Sequence, residues 1–121
     1  VSHFSTLKVQ LKDMALARRL AERRGWTVEQ TAEFVNPWRA ANESVKDCTV
    51  FRDTKGQPKL VVDRLGNVIH DAWSMGRDAF SFLQDYSEAF IRKTAAAEGA
   101  QVINKGTDAN GCRVLEIEYA Y

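Results

Sequence analysis

The sequence predicts an α+β domain in which two helices pack on one face of a mainly antiparallel sheet. Three observations lead there. Two stretches repeat apolar residues every three or four positions, the helical period. Several short runs alternate apolar with polar residues, the strand period. The turns between the middle runs are too tight for the crossovers that parallel pairing requires. A length of 121 residues suits one domain spanning 1–121, since two halves would each bury little surface.

Leu7, Val9 and Leu11 alternate with Lys8 and Gln10, which predicts a first strand from His3 to Leu11 with one wet face. Asp13 is placed to cap a helix running to Arg24, and Gly25 supplies its stop. The core stripe of that helix is Met14, Ala17, Leu20 and Ala21, widened by Leu16, with Arg18, Arg19, Glu22 and Arg23 outward. Trp26 to Val35 reads as a second strand, stopped at Pro37. Pro37 to Asp47 reads as an exposed connection carrying Trp38 and Arg39. Cys48 to Arg52, Lys59 to Asp63 and Val68 to His70 follow as short strands, joined by turns at 53–56 and 64–67.

From Asp78 to Glu98, Ala79, Phe82, Leu83, Tyr86, Phe90, Thr94 and Ala97 share one helical face, and Gly99 ends the pattern. Gln101 to Asn104 and Cys112 to Tyr121 then form a hairpin around Asp108-Ala109-Asn110-Gly111. In its second strand Leu115, Ile117 and Tyr119 define a buried face, and Glu116 and Glu118 a wet one. Both helices end in a glycine followed by a strand, at Gly25-Trp26-Thr27-Val28 and Gly99-Ala100-Gln101-Val102. This echo suggests two similar units on one sheet, a ferredoxin-like or related arrangement. The sheet face away from the helices would then be open to a ligand, a second subunit or another protein.

Composition narrows the function classes. With 45% apolar and 27% charged residues the chain is a folded protein, not a disordered one. Its 17 basic and 16 acidic side chains leave a net charge of +1, so no long-range field draws it to polyanions, and nucleic acid is disfavoured as a partner. No run approaches the twenty or so apolar residues of a membrane span, and the N-terminus lacks the pattern of a signal peptide, so the chain reads as soluble. Cys48 and Cys112 belong to no CxxC pair and read as reduced thiols, with a disulfide open to them only if their strands are neighbours.

Chemistry-bearing residues are few. His3 and His70 are the two histidines, and with Asp71 or a cysteine they could ligate a metal, although no ligand spacing supports it. Cys48 and His70 could act as nucleophile and base, oriented by Asp71 or Asp63, but no nucleophile elbow surrounds the cysteine. Glu116 and Glu118 share one strand face and resemble a cation site or acid pair; such residues more often form a wet face that rejects stray strands. Arg18, Arg19, Arg23 and Arg24, with Lys12 nearby, make a helix surface suited to a carboxylate-rich partner, and no glycine loop for phosphate is present. Trp38 and Arg39 are candidate interface anchors. Trp26 reads as packed on the sheet, and Trp73 with Met75 as a staple of the second helix.

The opening Ser2-His3-Phe4-Ser5-Thr6, the strand Lys8-Val9-Gln10-Leu11-Lys12-Asp13 and the first helix ending at Gly25 resemble the hypothetical chloroplast reading frame 35 family of plastid and cyanobacterial genomes, which has relatives in other bacteria. Tyr86 to Thr94, Gly99 and the hairpin through Arg113-Val114-Leu115 are similar to that family's second helix and closing strands, and Asp71-Ala72-Trp73 matches loosely. The resemblance implies no catalytic residues, because the family has no assigned activity. It does imply a place in a redox or assembly complex, since relatives are encoded near ferredoxin-like proteins and ATPases, and a location in the cytoplasm or plastid stroma. The leading expectation is a non-catalytic accessory or binding subunit whose partner is another protein or a second copy. The alternative is a small enzyme or a metal- or cofactor-binding module built from His3, Cys48 and His70, with the cofactor unspecified.

Overall fold

The computed structural model describes residues 4–35, 44–71 and 76–119. His3, Trp38, Arg39, Trp73 and Met75 lie outside the described residues. In chain order the elements are β1 (Phe4–Gln10), α1 (Met14–Arg23), β2 (Thr27–Val35), β3 (Ser44–Arg52), β4 (Pro58–Val62), β5 (Asn67–Asp71), α2 (Gly76–Ala97), β6 (Ala100–Thr107) and β7 (Arg113–Tyr119). The α+β class and the antiparallel pairing are those that the sequence predicts. The chain divides into two compact units, Val1–Leu83 and Gln84–Tyr121, with the division falling inside α2.

In the first unit the strands form one sheet in the order β1-β5-β4-β3-β2, a meander from β2 to β5 with β1 added beside β5. A ferredoxin-like order is not seen, and β6 and β7 form a separate two-stranded sheet where the sequence suggests a single one. β3 begins at Ser44, inside the stretch expected as a loop. The reason is cross-strand: Val45 pairs with Phe34 and both are buried, which outweighs the polar local sequence and the left-handed backbone of Asp47 (φ 50°).

The expectation of an open sheet face is corrected at the centre of this sheet. Successive strand residues point to opposite faces. Val50 and Phe51 on β3, and Leu60, Val61 and Val62 on β4, are all fully buried, so both faces are covered there. The uninterrupted apolar run of β4 is the pattern of a strand buried on both sides.

One face of the sheet is organised around Phe82. Its ring stacks on Trp26 at 5.2 Å and meets Phe51 at 5.5 Å, so α2 packs there on β3 and on Trp26, just before β2. The Arg24 guanidinium lies 5.3 Å from the Trp26 ring and 5.6 Å from Phe82, and donates to Ser81 Oγ at 3.1 Å. Arg24 is therefore part of this packing and not of an open arginine surface. α1 is capped as expected, Asp13 Oδ1 accepting from the Leu16 amide at 3.1 Å. Leu16, Ala17 and Ala21 are its buried residues, whereas Met14 and Leu20 are only half-buried.

Three hairpins close with the same five-residue device, Asp53–Gln57, Asp63–Asn67 and Asp108–Cys112. In each, the aspartate Oδ1 accepts from the amides two and four residues on, at 2.9–3.0 Å, and the fourth residue is a glycine with positive φ. Gly66 carries a second constraint, because a Cβ there would come within 3.2 Å of the Leu11 carbonyl oxygen, while the same atom at Gly56 would meet nothing. Leu11 also donates to Gly66 O at 2.8 Å, which fixes the two backbones together. Gly56→Ala is expected to cost about 1–2 kcal/mol, the penalty of a left-handed alanine. Gly66→Ala is expected to cost at least about 1 kcal/mol more, and urea midpoints of the two variants measure the difference.

In the second unit, residues 84–97 of α2 pack against the β6-β7 hairpin. Arg113 at the start of β7 reaches Asp85 at 2.7 Å and Glu88 at 3.7 Å, and Arg92 bridges Glu88 at 3.1 Å to the Val102 carbonyl at 2.9 Å.

Candidate functional sites

Cys48 has the environment of a core thiol. It is buried in β3, its Sγ donates to the Val45 carbonyl at 3.6 Å, and burial, reinforced by the Asp47 carboxylate, pushes the thiol pKa up. A nucleophilic cysteine requires the opposite shift. Cys48 and Cys112 are both free. His70 and Asp71 are on β5, opposite Ser5 and Phe4 of β1. Thr49 pairs with Val62 and Val62 with Val68, so the register sets His70 three residues along and two strands across from Cys48. At standard strand dimensions that is about 14 Å between backbones, beyond the hydrogen-bond reach of a nucleophile and its base. Among the described residues no group of three or more His, Cys, Asp or Glu side chains could hold a metal.

Three acidic side chains, Asp63, Asp85 and Glu116, have structural partners. Asp63 anchors its hairpin, also accepting from Asn67 Nδ2 at 3.1 Å. Asp85 pairs with Arg113, and Glu116 pairs with Lys105 at 3.3 Å across the hairpin. Glu118 stands exposed on the same face as Glu116. On α1, Arg19 and Arg23 are exposed and Arg18 is half-buried, a solvated basic face in the geometry that the sequence predicts.

Two recesses were not legible as such. One, of about 630 Å³ in the first unit, is lined by Met14 of α1, Gln30 to Ala32 of β2, Asp47 to Thr49 of β3, and Asp63 and Arg64. Thr49 is a buried polar residue there, 8% exposed, and charge of both signs stands at the mouth. Asp47 contributes from the left-handed region, a conformation that strains a side-chain-bearing residue. The adjoining edge of β2 is closed to strand pairing at one point: the Thr31 hydroxyl donates to the Glu33 carbonyl at 3.0 Å and accepts from its amide at 3.4 Å.

The other recess, of about 260 Å³ in the second unit, is apolar and lies between Phe90, Ile91, Thr94 and Ala95 of α2, Glu98 just beyond its end, and Ile117 and Tyr119 of β7. Tyr86 stacks on Phe90 at 5.9 Å, which holds that ring at the rim. The face of β7 expected to be buried is only partly so, Ile117 being 44% exposed and Tyr119 48%, and Phe90 of α2 beside them is 37% exposed. A hairpin and fourteen helical residues, 84–97, are too small to cover it. The sequence pattern shows that the face is apolar, but not what covers it.

Comparisons with protein-family models, with curated proteins and with solved structures return no match to this chain.

Proposed function

We propose that the protein is a non-catalytic accessory or binding subunit of a larger protein assembly. The observation that carries this reading is the open apolar face of the second unit, where Phe90, Ile117 and Tyr119 stand together around a recess with their side chains a third to a half exposed. Apolar side chains clustered around a recess favour association, because a partner removes that area from water. Of the alternative site of His3, Cys48 and His70, His3 lies outside the described residues, and the pairing of Cys48 with His70 finds no support in the register or in the raised thiol pKa. The similarity of the chain's opening to the chloroplast reading frame 35 family directs the proposal toward a redox-associated assembly. Arg18, Arg19 and Arg23 offer a second, polar surface for the same assembly.

The test is purification of the tagged chain from its native cells, with mass measurement of the intact complex. A complex of defined stoichiometry that is lost in an Ile117→Asp chain with an unaltered far-ultraviolet spectrum supports the proposal. Isolation of the chain as a monomer with no partner contradicts it.

A further inference from the structure

Hydrogen bonding in the hairpin separates its two edges. Among the described residues β6 and β7 pair only with each other. Antiparallel partners alternate between pairs that exchange hydrogen bonds and pairs whose backbone groups point away from each other. Asp108 N donates to Cys112 O at 2.9 Å, so this pair is bonded, and Thr107↔Arg113 is the next, unbonded pair. Counting on through the bulge between Asn104 and Thr107 makes Asn104↔Leu115 and Val102↔Ile117 unbonded pairs as well. The Val102 carbonyl agrees, since it accepts from Arg92 of α2 at 2.9 Å.

The β6 edge is thus occupied at Val102, whereas the amides and carbonyls of Leu115 and Ile117 point outward along β7 and meet no protein group among the described residues. The same two residues place their side chains on the face that bears the apolar recess. A strand laid along β7 would complete the ladder and cover Ile117 with its own alternate side chains.

The opposite face selects the strand. Glu116 and Glu118 stand there, with Lys105 offsetting part of the charge of Glu116. β7 of a second copy is a poor occupant: antiparallel pairing centred on Ile117 sets Glu116 against Glu118, and pairing centred on Glu116 sets that residue against itself. A strand with basic residues at those positions meets opposite charges instead.

We infer that the outer edge of β7 is a strand-addition site for a partner protein, and that it takes an extended segment alternating apolar with basic residues. This rests on the reading of the chain as a binding subunit and gives it a mode of contact. The probes are capped heptapeptides alternating valine with lysine or valine with glutamate, and two valine-lysine peptides, N-methylated on the amides of one edge or of the other. Each is titrated to millimolar concentration into the isotope-labelled chain and followed by amide chemical shifts.

The valine-lysine peptide is expected to shift Leu115 and Ile117. N-methylation on the bonding edge should weaken it at least about tenfold, through lost ladder hydrogen bonds. The E116K/E118K chain should prefer the valine-glutamate peptide. Equal binding of both peptides to the wild-type chain, or binding unchanged by N-methylation on one edge and on the other alike, overturns the inference. The outcome for the binding-subunit reading is separate: a native complex in which Leu115 and Ile117 exchange hydrogen at the rate of the free chain overturns strand addition and leaves that reading standing.

Discussion

Phe82→Ala is expected to lower the stability of the first unit by about 3–5 kcal/mol, the range for removing a buried aromatic side chain. Phe82 is fully buried, and its ring is the common neighbour of Trp26, Phe51 and the Arg24 guanidinium. The alanine variant loses the transferred apolar area, leaves a cavity against two large rings and removes the surface over which Arg24 lies. Domains of this size are stable by only about 5–15 kcal/mol, so the denaturation midpoint should fall steeply. Phe82→Leu, which keeps most of the volume, should cost less than half as much. Near-ultraviolet circular dichroism supplies a local readout, because the Trp26 band should weaken in both variants. A loss below about 1 kcal/mol for the alanine variant would show that Phe82 is not the centre of this packing.

The second large effect is expected at Asp53. Its Oδ1 accepts from the Lys55 and Gln57 amides at 2.9 Å, and its Oδ2 lies 3.7 Å from Nζ of Lys59, a lysine only 9% exposed. Asp78 also lies beside Lys59, at 3.4 Å and largely exposed. Asp53→Ala therefore unties the hairpin and deprives a buried ammonium of its better-sheltered partner, which should cost about 2–4 kcal/mol. Asp53→Asn keeps an oxygen for the two amides and loses only the charge, so it should cost clearly less. The pH dependence follows from the pKa. Burial acts to raise it, but the Gln57 and Lys55 amides and the Lys59 ammonium outweigh burial and hold the carboxyl below its ordinary value. A group with a depressed folded pKa contributes stability that is present above the unfolded pKa and lost as pH falls through the folded one. The stability gap between wild type and Asp53→Asn should accordingly be full near neutrality and narrow in the acid range below the usual carboxylate pKa, as urea titrations at successive pH values would show.

Much of this fold could be read from local pattern. The Asp13 cap, the 3.6-residue period of α2 and the Asn-Gly turn before β7 each act within a few residues, so the sequence displays them directly. What stayed hidden depends on distant pairing. Ser44 to Asp47 became strand through Phe34 and its neighbours on β2, and no local pattern announces that. The triple run Leu60-Val61-Val62 does carry a signal against an open sheet face, since a strand with one face in water alternates, and all three residues are fully buried. The shared Asp-x-x-Gly spacing of the three turns was likewise present in the sequence before any geometry.

The candidate surfaces divide along the same line. Histidine, cysteine and acidic residues attract attention by type, but their meaning depends on register and burial, which separate Cys48 from His70 and assign Asp63 and Asp85 to turns and ion pairs. The apolar face of β7 was visible as alternation, and α2 offered Phe90 to the same side. Only the packed structure shows that Ile117 and Tyr119 are left partly uncovered. The functional reading rests on that difference between an apolar pattern and the burial it obtains.

The most direct test is the intact mass of the complex recovered with the tagged chain from its native cells, compared between wild type and Ile117→Asp. The account predicts a defined heteromeric mass for the wild type and the mass of the chain alone for the variant. A wild-type chain recovered only as a free monomer would contradict it.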